Sequence, residues 1–184
     1  MCGSLYSRCT ATHFVQFFDF DSDLTDSVAH FAEEAFQTNA TCLVIGTAEH
    51  RRAIQQNLAA AGLPVDQLIS SYQYIALDAY RTLCGFMVND RPDRERFHSV
   101  MDLLIRQAGS RGQPVRIFGE MVALLAARGR IAAALQLEEL WNELSRAHDF
   151  TLFCAYLGSD IQYDVAVRRR IASIHSYEAS AGVS

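Results

Sequence analysis

The chain has 184 residues, half of them apolar and a fifth charged, which suits one domain with a sizeable core and excludes global disorder. Sixteen Lys or Arg positions, all of them Arg, stand against 21 acids; the net charge of −5 argues against a nucleic-acid partner held by phosphate neutralisation. No apolar run approaches the roughly 18–20 residues of a membrane span.

The segments alternate in period. Residues 13–18 (HFVQFF) are aromatic and β-branched and predict a strand, followed over 19–23 by polar turn residues with helix-capping chemistry. Leu24, Val28, Phe31, Ala32 and Ala35 then recur at helical spacing. Residues 41–46 (TCLVIG) form the continuous apolar run of a strand buried on both sides. A polar and alanine-rich helix over 49–61 is stopped by Gly62 and Pro64, and 72–77 (YQYIAL) predict a third strand. A short helix over 79–87 and a turn around Asp90 and Pro92 come next. Phe97, Val100, Met101, Leu104, Ile105 and Ala108 then fit the amphipathic helix template without a miss. Residues 115–118 make a fourth strand, and 121–147 are helical with a break at 128–130 set by Gly129. A fifth strand covers 151–157, and a last helix runs from Asp164 through Ile171 and Ile174. Strands separated by helices point to right-handed crossovers, hence a three-layer α/β/α fold on a mostly parallel sheet. The expected organisation is a tail over 1–12, one domain over 13–158, and a C-terminal helix and tail over 159–184.

The start MCGSLYSRCTATHF lacks the basic-then-apolar pattern of a secretory leader. Five scattered cysteines without a CxxC pair make poor material for disulfides or structural zinc. A reduced cytoplasmic setting is expected, with no metal and no cofactor. The loop after the first strand, Asp19-Phe20-Asp21-Ser22-Asp23, replaces the glycines and lysine of a P-loop with three acids that would repel polyphosphate. Neither GxGxxG nor GxSxG occurs. The chain is therefore expected to be no enzyme.

Ligands of open parallel sheets sit beyond the strand carboxyl ends. Glu120, between Gly119 and Met121, either holds a ligand there or favours the start of the next helix. Thr47 to Arg51 brings His50 and Arg51 to another helix start, where the choice lies between an anion site and a capped surface helix. Glu138, Trp141 and Asn142 share adjacent turns of one helix and could line a pocket, although a lone Trp is usually core. Cys154 is either a packed thiol or a sensing one. His13 opens its strand at the opposite end and reads as structural or surface. His175 reads as a solvent-facing histidine rather than a phosphoacceptor.

Seven collinear segments carry a family resemblance: HFVQFF (13–18), TAEHRRAI (47–54), YIALDAYRTLCGFM (74–87), RPDRERF (91–97), RIFGEMVALLAARG (116–129), LEELWNEL (137–144) and LFCAYLG (152–158). Over this span the chain resembles the MEDS sensory domain of methanogen and methylotroph regulators, in the bacterial form often found before sensor histidine kinases. The resemblance implies a degenerate RecA/KaiC-like fold without a working P-loop, and a signalling role that recognises a small organic ligand. Family-typical positions are His13, His50, Arg51, Asp78, Glu120, Met121, Glu138, Trp141, Asn142, Cys154 and Tyr156. All but His13 form the expected ligand-binding set. The pattern's histidine and cysteine are both present, which leaves a metal- or redox-linked role open. No kinase, receiver or DNA-binding segment accompanies these blocks, so output is expected through a separate histidine kinase or response regulator, with a homodimer as another expected assembly. Two further readings stand beside this one: a nucleotide-binding relic using residues 47–51, and a ligand-free interaction module.

Overall fold

The computed structural model describes residues 12–179. Eight strands and eight α-helices follow in chain order: β1 (Thr12–Phe18), α1 (Asp21–Gln37), β2 (Thr41–Gly46), α2 (Ala48–Ala60), α3 (Val65–Ser70), β3 (Tyr74–Asp78), α4 (Ala79–Cys84), β4 (Met87–Val88), β5 (Arg91–Pro92), α5 (Arg94–Ala108), β6 (Val115–Gly119), α6 (Met121–Ala127), α7 (Ile131–Leu144), β7 (Phe150–Leu157), α8 (Val165–Ile174) and β8 (Tyr177–Glu178). A turn of 3₁₀-helix, Gly158–Ile161, joins β7 to α8.

The central sheet has six strands in the order β3-β2-β6-β7-β1-β8, and every pair is parallel. The fold is therefore α/β with helices on both faces, as the alternation of periods predicts. Side-chain alternation divides the core in two. Phe14, Phe18, Val44, Phe118 and Phe153 pack with Val28, Phe31, Ile54 and Leu58 on the α1–α3 side. Val15, Leu43, Ile45, Ile117 and Leu152 pack with Phe97, Met101, Val122, Leu137 and Trp141 on the α4–α8 side. Chain direction along the sheet reverses between β2 and β6: β2 leads outward to β3, whereas β6 leads to β7 on the other flank. That reversal is where a doubly wound sheet opens its crevice.

The capping expected over residues 19–23 does not form, since α1 starts after Phe20 without a side-chain cap, but four later helices are capped. Thr47, Asp78, Asp93 and Asp164 each cap a helix, their side chains accepting backbone N–H bonds. Gly129 separates α6 from α7 at φ +71°, a conformation that a side chain would strain. Three details depart from expectation. α4 ends at Cys84, and the following residues form the antiparallel β4–β5 hairpin. The turn residues Asn89 and Asp90 both take positive φ (48° and 64°), as a two-residue hairpin loop requires. A separate short helix, α3, follows Pro64. Finally, β8 adds a parallel edge to β1, pairing Phe14 with Tyr177 and Val15 with Glu178.

Candidate functional site

The ten residues singled out as ligand-binding fall into two groups. His50, Arg51, Asp78, Glu120 and Met121 lie at the strand carboxyl ends. Glu138, Trp141, Asn142, Cys154 and Tyr156 lie deeper, between the sheet and α7.

At the carboxyl ends, Glu120 follows β6 at the reversal of the sheet, and its Oε2 accepts the Thr47 N–H at 2.7 Å. His50 stands between two acids, with Nδ1 3.0 Å from Glu120 Oε1 and Nε2 2.9 Å from Asp21 Oδ1. These contacts, the Glu120 hydrogen bond foremost, outweigh burial and raise the imidazole to about 9. Arg51 donates through Nε to Gly46 O (3.1 Å) and through a terminal nitrogen to Asp78 Oδ2 (3.0 Å). The packing is tight enough that a Cβ on Gly46 would come within 3.2 Å of Glu120 Oε2. The Asp78 carboxylate lies below its usual range, chiefly because it accepts the Arg81 N–H. Met121 is fully buried beneath this corner. The crevice is thus occupied by its own ion pairs. A cavity of about 400 Å³ lies beside it, between Phe17, Tyr163, Asp164 and Arg168, and a groove of about 1510 Å³ lies at the strand amino ends. Neither is lined by His50, Arg51, Asp78 or Glu120.

The deeper group is built by two periodicities. Period two along β1 and β7 turns His13, Cys154 and Tyr156 to the α7 side, and period 3.6 along α7 turns Glu138, Trp141 and Asn142 toward the sheet. Glu138 is fully buried and is the hub. Tyr156 donates its hydroxyl to Oε1 at 2.6 Å, and the Cys154 thiol donates to Oε2 at 3.4 Å. His13 Nε2 lies 3.1 Å from Oε2 and 3.3 Å from Cys154 Sγ. His175, at the end of α8, brings its Nε2 to 3.4 Å from Oε1. The His13 and His175 rings sit 4.1 Å apart. Burial would raise the Glu138 carboxyl, but the charge of His175 and the hydrogen bond from His13 overcome it and hold the carboxyl below its usual range. Burial, reinforced by that carboxylate, pushes the Cys154 thiol and Tyr156 phenol well up. Trp141 walls the group and packs edge-on against Phe97 and Phe150.

One sequence expectation is corrected, for His175, and one, for His13, is narrowed to the buried of its two alternatives. His175 is only 8% exposed, because the chain turns in after α8 and lays β8 beside β1; it faces Glu138 rather than solvent. His13 is 3% exposed and belongs to the same centre, since the strand start is covered by α7 and the segment after α8. Glu138 and Asn142, a polar i, i+4 pair on an otherwise apolar helix face, were the signal that a buried polar centre lay opposite.

Among the described residues, no helix is long and apolar enough to cross a membrane. The MEDS family, described as the methanogen/methylotroph, DcmR sensory domain, matches the chain over residues 12–176. No curated protein matches it.

Proposed function

The chain belongs to the MEDS family of sensory domains, and on that premise we propose that it is a non-enzymatic cytoplasmic sensor that takes its input at the buried Glu138 centre and passes it outward through α8 and β8. The observation that carries this reading is the continuity between centre and segment. His175 reaches Glu138 from the end of α8, Asn142 donates through Nδ2 to Ile174 O (3.0 Å), and Ser176 N–H donates to His13 O (2.7 Å). Anything that changes the Glu138 centre therefore acts directly on the residues that lead into β8. A signal needs a ligand that favours one arrangement of this segment over another.

Output passes to a separate partner, with a histidine kinase or response regulator as the class the family membership favours. The exposed Tyr163, Val165 and Tyr177 flank the responsive segment and offer it a contact surface. The ion-paired carboxyl-end crevice speaks for input at the deeper centre, since a ligand there would have to displace Asp21, Glu120 or Asp78 from existing partners.

The test is a screen of ions and small metabolites by thermal shift, with hydrogen exchange read over residues 165–178. The expected result is a compound that protects this segment in the wild type and not in Glu138→Gln. Protection lost in Glu120→Ala but kept in Glu138→Gln would move the input site to the strand ends and overturn the assignment.

A further inference from the structure

The Glu138 centre brings two imidazoles, a carboxylate and a thiol to one point. His13 Nε2, Glu138, Cys154 Sγ and His175 Nε2 all lie within 4.8 Å of one another, and all four residues are buried. Their outer contacts decide which atoms face inward. His13 Nδ1–H donates to Asn142 Oδ1 at 2.9 Å, and Asn142 is itself oriented because its Nδ2 donates to Ile174 O. His175 Nδ1–H donates to Ile171 O at 2.7 Å. Both rings therefore keep their Nδ1 proton and turn Nε2 into the centre, where it faces Glu138 and can offer a lone pair to an ion once its proton is released, the arrangement by which outer-shell carbonyls fix a metal-ligating histidine. Tyr156 occupies Glu138 Oε1 and so leaves Oε2, the oxygen nearest His13 Nε2 and Cys154 Sγ, turned to the same point.

One atom exposes what is missing. His175 Nε2 is buried and makes no hydrogen bond among the described residues beyond its 3.4 Å approach to Glu138 Oε1, and a buried polar nitrogen so weakly satisfied is costly. The separations also have the right scale. Bonds of about 2.0–2.3 Å to a tetrahedral ion imply ligand–ligand edges of roughly 3.3–3.8 Å. The three edges His13 Nε2 to Glu138 Oε2, His13 Nε2 to Cys154 Sγ and Cys154 Sγ to Glu138 Oε2 measure 3.1, 3.3 and 3.4 Å, and His175 completes the group within 4.8 Å of the others.

Taking this centre as the input site proposed above, we infer that its ligand is a divalent transition-metal ion of the zinc class, bound by His13 Nε2, His175 Nε2, Glu138 Oε2 and Cys154 Sγ. Nitrogen and sulfur donors select against Mg²⁺ and Ca²⁺, which require oxygen. Binding displaces the Cys154 thiol proton, together with the Nε2 protons that His13 and His175 turn toward Glu138, to solvent. Four protein ligands complete a tetrahedron and leave no position for substrate, the property of a structural or sensing ion. One ligand, His175, comes from the segment that becomes β8, so filling the site ties that segment to α7 and β7.

The test titrates the full chain with Co²⁺ and Zn²⁺ and measures the zinc environment by X-ray absorption. One ion per chain is expected, with a sulfur-to-cobalt charge-transfer band in the near ultraviolet, the intense visible bands of tetrahedral Co²⁺, and a zinc shell containing one sulfur. Cys154→Ser should lose the charge-transfer band, while Cys84→Ser, which removes an exposed thiol, should keep it. Asn142→Ala touches no metal yet frees the His13 ring, and should weaken affinity by about 10–100-fold. A folded wild type that binds neither ion, a zinc shell without sulfur, or a charge-transfer band that survives Cys154→Ser would overturn the assignment. If no metal binds but an organic compound still protects residues 165–178 through Glu138, the metal falls and the sensory reading stands. If the metal binds as described but leaves exchange over 165–178 unchanged, the metal site stands and the sensory reading falls.

Discussion

The strand-end crevice and the Glu138 centre use similar residues to opposite ends. Each sets histidine against carboxylate, His50 with Glu120 and Asp21 in one, His13 and His175 with Glu138 in the other. At the strand ends one partner, Asp21, is 69% exposed, and a helix cap and an arginine pair share the work. Water screens what the side chains leave uncompensated. Glu138 is fully buried, out of reach of bulk solvent, and its carboxylate depends on the hydrogens and charges turned toward it. A polar cluster is informative about function when all of its groups converge in a buried centre, and less so when part of it opens to solvent, as Asp21 does.

The sharpest way to break this contrast is to remove both hubs. Glu138→Ala should destabilise the chain by about 3–5 kcal/mol, because it strips a buried ion network of its centre. Glu120→Ala should cost about 1–3 kcal/mol, since His50 keeps Asp21 and Thr47 N–H can reach solvent. Urea unfolding of both variants measures the difference, and equal losses would erase the distinction.

A pH profile sharpens the comparison from the other side. His50 faces Glu120, Asp21 and, further off, Asp160. Its folded value of about 9 exceeds the ordinary 6.5, so the folded state holds the proton more tightly. That stabilisation is complete below about pH 6.5 and is lost as pH rises toward 9. The decline should be on the order of 1 kcal/mol, given the solvent access of Asp21, and His50→Gln should flatten it. A profile unchanged by that substitution would place the pH sensitivity elsewhere. The smallest effect is expected from Asp21→Asn, about 0.5 kcal/mol or less, because an exposed ion pair contributes little. A loss above 1.5 kcal/mol in the same urea series would show the strand-end cluster to be as dependent on its charges as the buried one.

Most of the architecture was legible because burial imposes period on the sequence. TCLVIG at β2, the 97–108 stripe on α5 and the Gly129 break between α6 and α7 each state their structure locally. Elements too short to show a period were missed: α3, the β4–β5 hairpin and the two residues of β8. The site divided in the same way. Glu138, Asn142 and Cys154 were identifiable one by one, from polar character on apolar faces, and Tyr156 from the family resemblance. Their convergence was not, nor was the part of His175, whose helix face looks amphipathic and exposed until β8 folds against β1.

Local propensity and hydrophobic spacing depend on neighbours a few positions away, and they settled the five longer strands and most of the helices. Which faces meet depends on strand order and crossover direction, which place β1 beside β7 and bring the end of α8 back over both. Only that long-range closure joins His13, Glu138, Cys154 and His175, because side-chain chemistry acts over a few ångströms and those residues come from four separate elements, β1, α7, β7 and the end of α8.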